Sequence, residues 1–169
     1  MIIMERMDIL LPIVQASLEK NGIQYKAMAC NPELADTATF CEHYGFSVQA
    51  SANTIIVQGK ADPVRYAACV VLATTKLDVN KMVCRLLDTR KCSFAPMEQA
   101  LKLSGMEYGG VTIFGLPPEI PVYVDERVVN EKRIVMGGGN RSSKVILDPK
   151  ELYRLSNAQI IIGLATPKS

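Results

Sequence analysis

The chain has 169 residues, 49% of them hydrophobic, a size and composition that suit one compact domain over residues 1–169 with a sizeable buried core. Nineteen basic and seventeen acidic residues leave a formal net charge of +2, so no global field marks a nucleic-acid binder and no DNA partner is expected. The imbalance is local: residues 1–45 carry three basic and six acidic groups, and residues 46–169 carry sixteen and eleven, which makes the C-terminal three quarters the side for a polyanion.

The opening MIIMERMDILLPIVQ is apolar but broken by Glu5, Arg6 and Asp8. It lacks the uncharged run of a signal peptide or membrane span, so no membrane partner is expected. Met7, Leu10, Leu11, Val14 and Leu18 fall at helical spacing and Asn21-Gly22 supplies a stop, which predicts a helix within residues 1–22. IQYKAMAC alternates like a strand, and Asp36 or Thr37 can cap a short helix that ends at Gly45. TIIVQ and YAACVVLAT read as strands, the second apolar enough to be covered on both faces.

Val79, Met82, Val83, Leu86 and Leu87 form one stripe behind an Asp78 cap, predicting a helix over 78–89 that packs on a sheet. Pro96 and Gly105 bracket another helix. From residue 109 onward VTIF, VYV, RIVM and KVIL are expected as strands of one mixed sheet, until Asp148-Pro149-Lys150-Glu151 opens a last short helix and AQIIIGL closes the chain as a strand. Strands and helices interleave without a regular repeat, so the expected class is α+β with a mixed, curved β-sheet wrapped by helices.

Five cysteines form no CxxC pair, and His43 is the single histidine, so neither a metal site nor a disulfide framework is expected; buried thiols suit a reducing cytoplasm. His43 lies near a helix end, where a cap or dipole role outranks general-base chemistry. The stretches Gly109-Gly110 and Gly137-Gly138-Gly139 border strands, and each reads equally as a bulge or as a place where a ligand approaches the backbone. Their spacing matches neither a phosphate loop nor a dinucleotide fingerprint, and no cofactor is expected. Lys76, Lys81, Arg85, Arg90 and Lys91 outnumber Asp78 and Asp88 in segment 76–91, which a solvated face explains and a tRNA backbone contact would also use.

TTKLDVNK, LSGMEYGGVTIFGLP, IPVYVDERV, GGGN and LDPKELYRL occur in an order and spacing that resembles the YbaK/prolyl-tRNA synthetase-associated editing domain family, over residues 23–169. The resemblance implies a pocket that receives the aminoacyl group on the 3′ end of an aminoacyl-tRNA and hydrolyses its ester, clearing charging errors that a synthetase pocket cannot reject. An activated ester needs little more than oriented water and donors for its carbonyl. On this reading Asn53, Gly110 and Thr112 are the catalytic candidates. Gly109, Val111, Phe114, Gly115, Gly137, Gly138, Gly139, Asn140 and Lys144 are the substrate-binding candidates.

Thr112 reads equally as a β-residue pairing across a sheet, and Asp125 as a loop anchor through backbone N–H groups. In the family the strand of SANTIIVQGK commonly reads KTLLV, with a lysine that contacts the tRNA end; here Asn53 holds that place, a neutral donor with roughly half the strength of a charged one. Ile113 stands where the family usually has proline. Lys144 or Lys60 could supply the missing cation, although a solvated surface lysine is the commoner reading of either. The alternative to a deacylase is a non-catalytic tRNA or amino-acid binding module, or a synthetase partner, that has lost the key lysine.

Overall fold

A computed structural model describes residues 3–4 and 9–168. After strand β1 (Ile3–Met4), helix α1 (Pro12–Lys20) carries Pro12 in its first turn and stops at Asn21, with Val14 and Leu18 fully buried. Met7 of the expected stripe lies outside the described residues. Strand β2 (Lys26–Ala29) leads to helix α2 (Thr37–Tyr44), which ends at Gly45 in the left-handed conformation. Asp36 precedes α2 but makes no capping bond; its carboxylate lies 3.7 Å from Arg141 instead.

Strands β3 (Ala52–Gly59), β4 (Arg65–Leu72) and β5 (Thr75–Leu77) follow. The stripe behind Asp78 is helical but shorter than expected. Asp78 accepts the Lys81 N–H at 3.1 Å, Val79–Val83 is wound as a π-turn, and α3 (Cys84–Leu87) stops at Asp88, whose φ is 54°. Strand β6 (Cys92–Phe94) and helix α4 (Met97–Ser104), flanked by Pro96 and Gly105, come next. The C-terminal part holds β7 (Val122–Asp125), α5 (Glu126–Val129), β8 (Ile134–Gly137), β9 (Ser143–Leu147), β10 (Ala158–Ile161) and β11 (Ala165–Pro167). Asp148 caps Pro149–Arg154 as expected, but as 3₁₀ rather than α turns.

VTIF is not a strand. Ile113 and Phe114 are buried in the core from an irregular loop, and the Thr112 N–H points at the Met106 sulfur, 3.3 Å away, rather than at a neighbouring strand. Their apolar character reflects docking between layers, which alternation alone cannot tell from a half-buried strand. Nor do the other three runs share a sheet. VYV belongs to a five-stranded mixed sheet of order β10-β7-β4-β3-β6, whereas RIVM and KVIL form β8 and β9 of a four-stranded antiparallel sheet of order β1-β2-β9-β8. β5 and β11 make a separate ribbon.

Period-two alternation assigns the layers. Ala68, Val70, Leu72, Val122 and Val124 of the five-stranded sheet face Ile134, Met136, Val145 and Leu147 of the four-stranded one, with α1 added through Val14 and Leu18. The opposite face of the five-stranded sheet (Cys69, Val71, Tyr123) is covered by Val79, Met82, Val83, Leu86 and Leu87, the face foreseen for that helix. The outer face of the four-stranded sheet (Met28, Val135, Ile146) is covered by α2 through Phe40 and Cys41. A parallel bridge between Ser51 and Val135 ties the two sheets where β3 begins.

Asp125 anchors the C-terminal ribbon: its Oδ1 accepts the Ala165 N–H at 3.2 Å, while its buried Oδ2 has no hydrogen-bond donor among the described residues, with Arg127 Nε 3.9 Å away. Burial pushes this carboxyl above the ordinary aspartate range, against the Ala165 and Arg127 donors. A raised folded-state pKa means that stability is greatest with the acid protonated and falls as pH rises through that pKa. Asp125→Asn, which keeps the acceptor and carries no charge, should therefore flatten the fall in urea-unfolding stability as pH rises above about 4, the ordinary aspartate value; an unchanged slope would show that this carboxyl is not the cause.

Candidate functional site

β3 pairs with β4 along all eight of its residues but with β6 only through Val57–Gly59. The Ala95 N–H donates to Ile56 O at 2.9 Å, so the even-numbered residues of β3 turn their peptide groups away from β4. Beyond Ile56 the partner has ended, and a cavity of about 520 Å³ lies against five consecutive residues, Ala52–Ile56. The peptide of Thr54 is thus presented at a free strand edge.

Facing that edge are Asp36 and Thr37 at the start of α2, Gly109 and Val111 of the irregular loop, and Gly137 and Lys144, which are direct partners in the β8–β9 register. Phe94, Met97 and Tyr108 form an exposed apolar rim. The Asn53 amide oxygen accepts the Thr37 hydroxyl at 3.1 Å, and its NH₂ has no partner among the described residues. The N–H groups of Gly109 and Val111 likewise donate to no described residue.

Lys144 is the least expected member. Only 8% of it is exposed; its Nζ donates to Ala35 O at 2.9 Å and sits 5.2 Å from the centre of the Phe40 ring. Burial lowers its pKa from the usual lysine value and Arg141 acts in the same sense, whereas Cys30, Cys41 and Asp36 oppose the shift. The commoner reading of this lysine as solvated surface does not hold. Lys60 does fit that reading: it is exposed, in the β3–β4 turn, and not on the cavity wall.

Arg141 straps the mouth. Its guanidinium donates to Pro32 O at 2.8 and 3.1 Å and to Tyr108 O at 3.3 Å, covers the Tyr108 ring at 5.5 Å, and lies near Asp36. It joins the segment before α2 to the loop carrying Gly109.

The sequence matches the aminoacyl-tRNA editing domain over residues 31–155. The chain belongs to that family. It is 30% identical over 123 residues to the uncharacterized protein YwhH of Bacillus subtilis (strain 168), covering 73% of this chain and 76% of that protein. Among solved structures it resembles that of the hypothetical protein APE2540, with a TM-score of 0.80 and 22% identity over 91% of this chain and 99% of the other. It also resembles one described as "a putative trans-editing enzyme for prolyl tRNA synthetase", with a TM-score of 0.71 and 23% identity over 90% of this chain and 97% of the other. At these identities the two structures bear on the fold, which they share.

Within this member of the family, Asn53, Gly109, Val111, Gly137 and Lys144 come together around one cavity. Gly110, Thr112, Phe114, Gly115, Gly138, Gly139 and Asn140 do not line it, and the reasons are steric. The Gly110 N–H is taken by Glu107 O and its carbonyl by the Gly139 N–H, while Thr112 and Phe114 are fully buried, the Thr112 hydroxyl without a partner among the described residues. Gly115 packs on Ile13, Gly138 on Ser143 and Leu10, and Gly139 on Val14 and Leu11. Asn140 is spent on the turn: it donates to Ile9 O and accepts from Ser142 and Ser143. His43 also lies off the wall, in edge contact with Tyr44.

These residues form the frame behind the wall. Asp36 and Thr37 were legible only as caps, Phe94, Met97 and Tyr108 as scattered apolar positions, and Arg141 as one letter of GGGNRSS. The frame is testable at Gly110, where a Cβ would stand 2.4 Å from Asn140 O. Gly110→Ala should cost about 1–3 kcal/mol in urea unfolding because the obstacle is backbone; a variant as stable as the parent would refute this close contact.

Proposed function

We propose that the protein is an aminoacyl-tRNA deacylase of the trans-editing kind, acting in the cytoplasm as a single domain over residues 1–169, with Lys144 supplying the cation that the family's usual lysine provides at the position of Asn53. The observation that carries this reading is the buried Lys144 ammonium on the same cavity wall as Asn53 and the two glycine stretches. A lysine held inside a cavity at the expense of its own hydration is a costly arrangement that a structural role does not need.

The chemistry follows from the wall. The ester carbonyl of the aminoacyl group sits near the unspent N–H groups of Gly109 and Val111, which stabilise the oxyanion as water attacks. The Asn53 NH₂ and the Lys144 ammonium hold the ribose and carbonyl oxygens, and Asp36, the acid on this wall, balances the substrate's α-ammonium. Attack forms the new C–O bond, the bond to the ribose oxygen breaks, and that oxygen leaves with the proton that the attacking water gives up. The second reading, a binding module without catalysis, is favoured by the neutral amide at Asn53; tRNA and, as a partner, an aminoacyl-tRNA synthetase would then be its targets.

Deacylation of a panel of mischarged tRNAs separates the two. Lys144→Met should lower kcat/KM by about tenfold or more, the effect of losing one charge-assisted hydrogen bond, while leaving Tm unchanged or higher because a desolvated charge is removed. Asn53→Lys in that background should restore part of the activity, since it returns a cation to the same wall. Hydrolysis by the parent that Lys144→Met leaves unaltered would remove Lys144 from the mechanism; no hydrolysis by any form, with tRNA still bound, would establish the binding module.

A further inference from the structure

Phe94 stands between two cavities. The residue is 60% exposed and belongs both to the rim of the site and to a second cavity of about 550 Å³. The strand that carries it is the edge of the five-stranded sheet, and the ring has no aromatic or cationic partner among the described residues. Tyr108, across the rim, differs in having its face covered by the Arg141 guanidinium.

The second cavity has a mixed wall, with Leu77, Val79, Cys92 and Phe94 beside five polar side chains. Lys76 and Thr166 sit opposite one another in the β5–β11 ribbon, and exposed Asn80 and half-buried Ser93 add further polar groups to its wall. Asp78 is the acid there, with its carboxylate engaged by the Lys81 N–H. Lys81 and Arg85, both exposed, continue the basic character along the adjoining helix.

We propose that this second cavity is a nucleotide subsite for the single-stranded 3′ end of the substrate RNA. The terminal adenosine and its ester occupy the first cavity, a base stacks on Phe94, and the preceding nucleotide lies in the second cavity with its phosphate toward Lys76. The assignment of the first occupant rests on the deacylase reading. Single-stranded RNA is recognised by exposed aromatic rings that stack on unpaired bases and by cations along the backbone, and both are present here in continuity with the site. A strand whose end is held beside Asn53 must leave over the rim, and Phe94 is the part of the rim with a free ring face and a cavity beyond it.

The test compares binding of the trinucleotide CCA with that of adenosine 5′-monophosphate by calorimetry on the whole chain. CCA should bind at least about fivefold more tightly, the low end of one stacked base, and the advantage should shrink as salt rises. Lys76→Gln should remove much of the advantage while leaving the mononucleotide unaffected. Phe94→Ala should reduce it and Phe94→Trp should retain it, so a misfolded alanine variant leaves the other two to decide. Equal binding of the two ligands, no binding of either, or an advantage untouched by Lys76→Gln and Phe94→Ala would overturn the subsite. Hydrolysis of aminoacyl-tRNA without a CCA advantage would sink the subsite and spare the deacylase; a CCA advantage without hydrolysis would do the reverse.

Discussion

The site depends on an unequal pairing of one strand. β3 is bonded to β4 over its whole length and to β6 over only its last three residues. An unpaired strand edge leaves main-chain donors and acceptors that must find water or a ligand. Here the edge is walled by α2, by β8 and β9 and by the glycine loop, so a hazard for aggregation becomes a lined recess. The Ser51–Val135 bridge keeps the recess open at a defined width, because it joins the sheets just before the unpaired stretch begins.

Around that edge the protein spends polar contacts on holding segments rather than on the cavity itself. Gly110 and Gly139 latch the loop to the β8–β9 turn, Asn140 organises that turn, and Arg141 reaches from it to Pro32, Asp36 and Tyr108. Glycine is required where main chain meets main chain, as at Gly110 against Asn140 and at Gly137 against the Gly110 carbonyl. What is left unspent is correspondingly informative: the Asn53 NH₂ and the N–H groups of Gly109 and Val111 sit on the wall without protein partners among the described residues.

Lys144 shows how such a wall accommodates charge. Its ammonium is desolvated, which is unfavourable, and the Ala35 carbonyl, the Phe40 ring and the Asp36 carboxylate offset part of that cost. A cation held in this way is pre-organised, since little side-chain freedom remains to be lost when an anionic or carbonyl oxygen arrives.

Much of this was legible in the sequence. The apolar run of β4, the stripe behind Asp78, the Pro96–Gly105 bracket and the Asp148 cap are set by local periodicity and by turn residues, so they could be read from neighbouring letters alone. The family motifs likewise gave the fold class and the two glycine stretches. The rest required distance information that periodicity does not contain. VTIF alternates like a strand, yet its backbone finds no strand partner and its side chains dock between layers. Lys144 looks like any lysine at the solvated start of a strand until the segment leading into α2 closes over it, and Phe94 looks like core until β6 proves to be an edge. The sequence by itself determined the elements with a strong local pattern, such as β4, the stripe behind Asp78 and α4, because that pattern is a matter of side chains within a few residues of one another. Which strand lost its neighbour, and which charge became buried, was decided by packing between segments far apart in the chain, as in the bond from Lys144 to Ala35, 109 residues away, and only the tertiary structure brings those together.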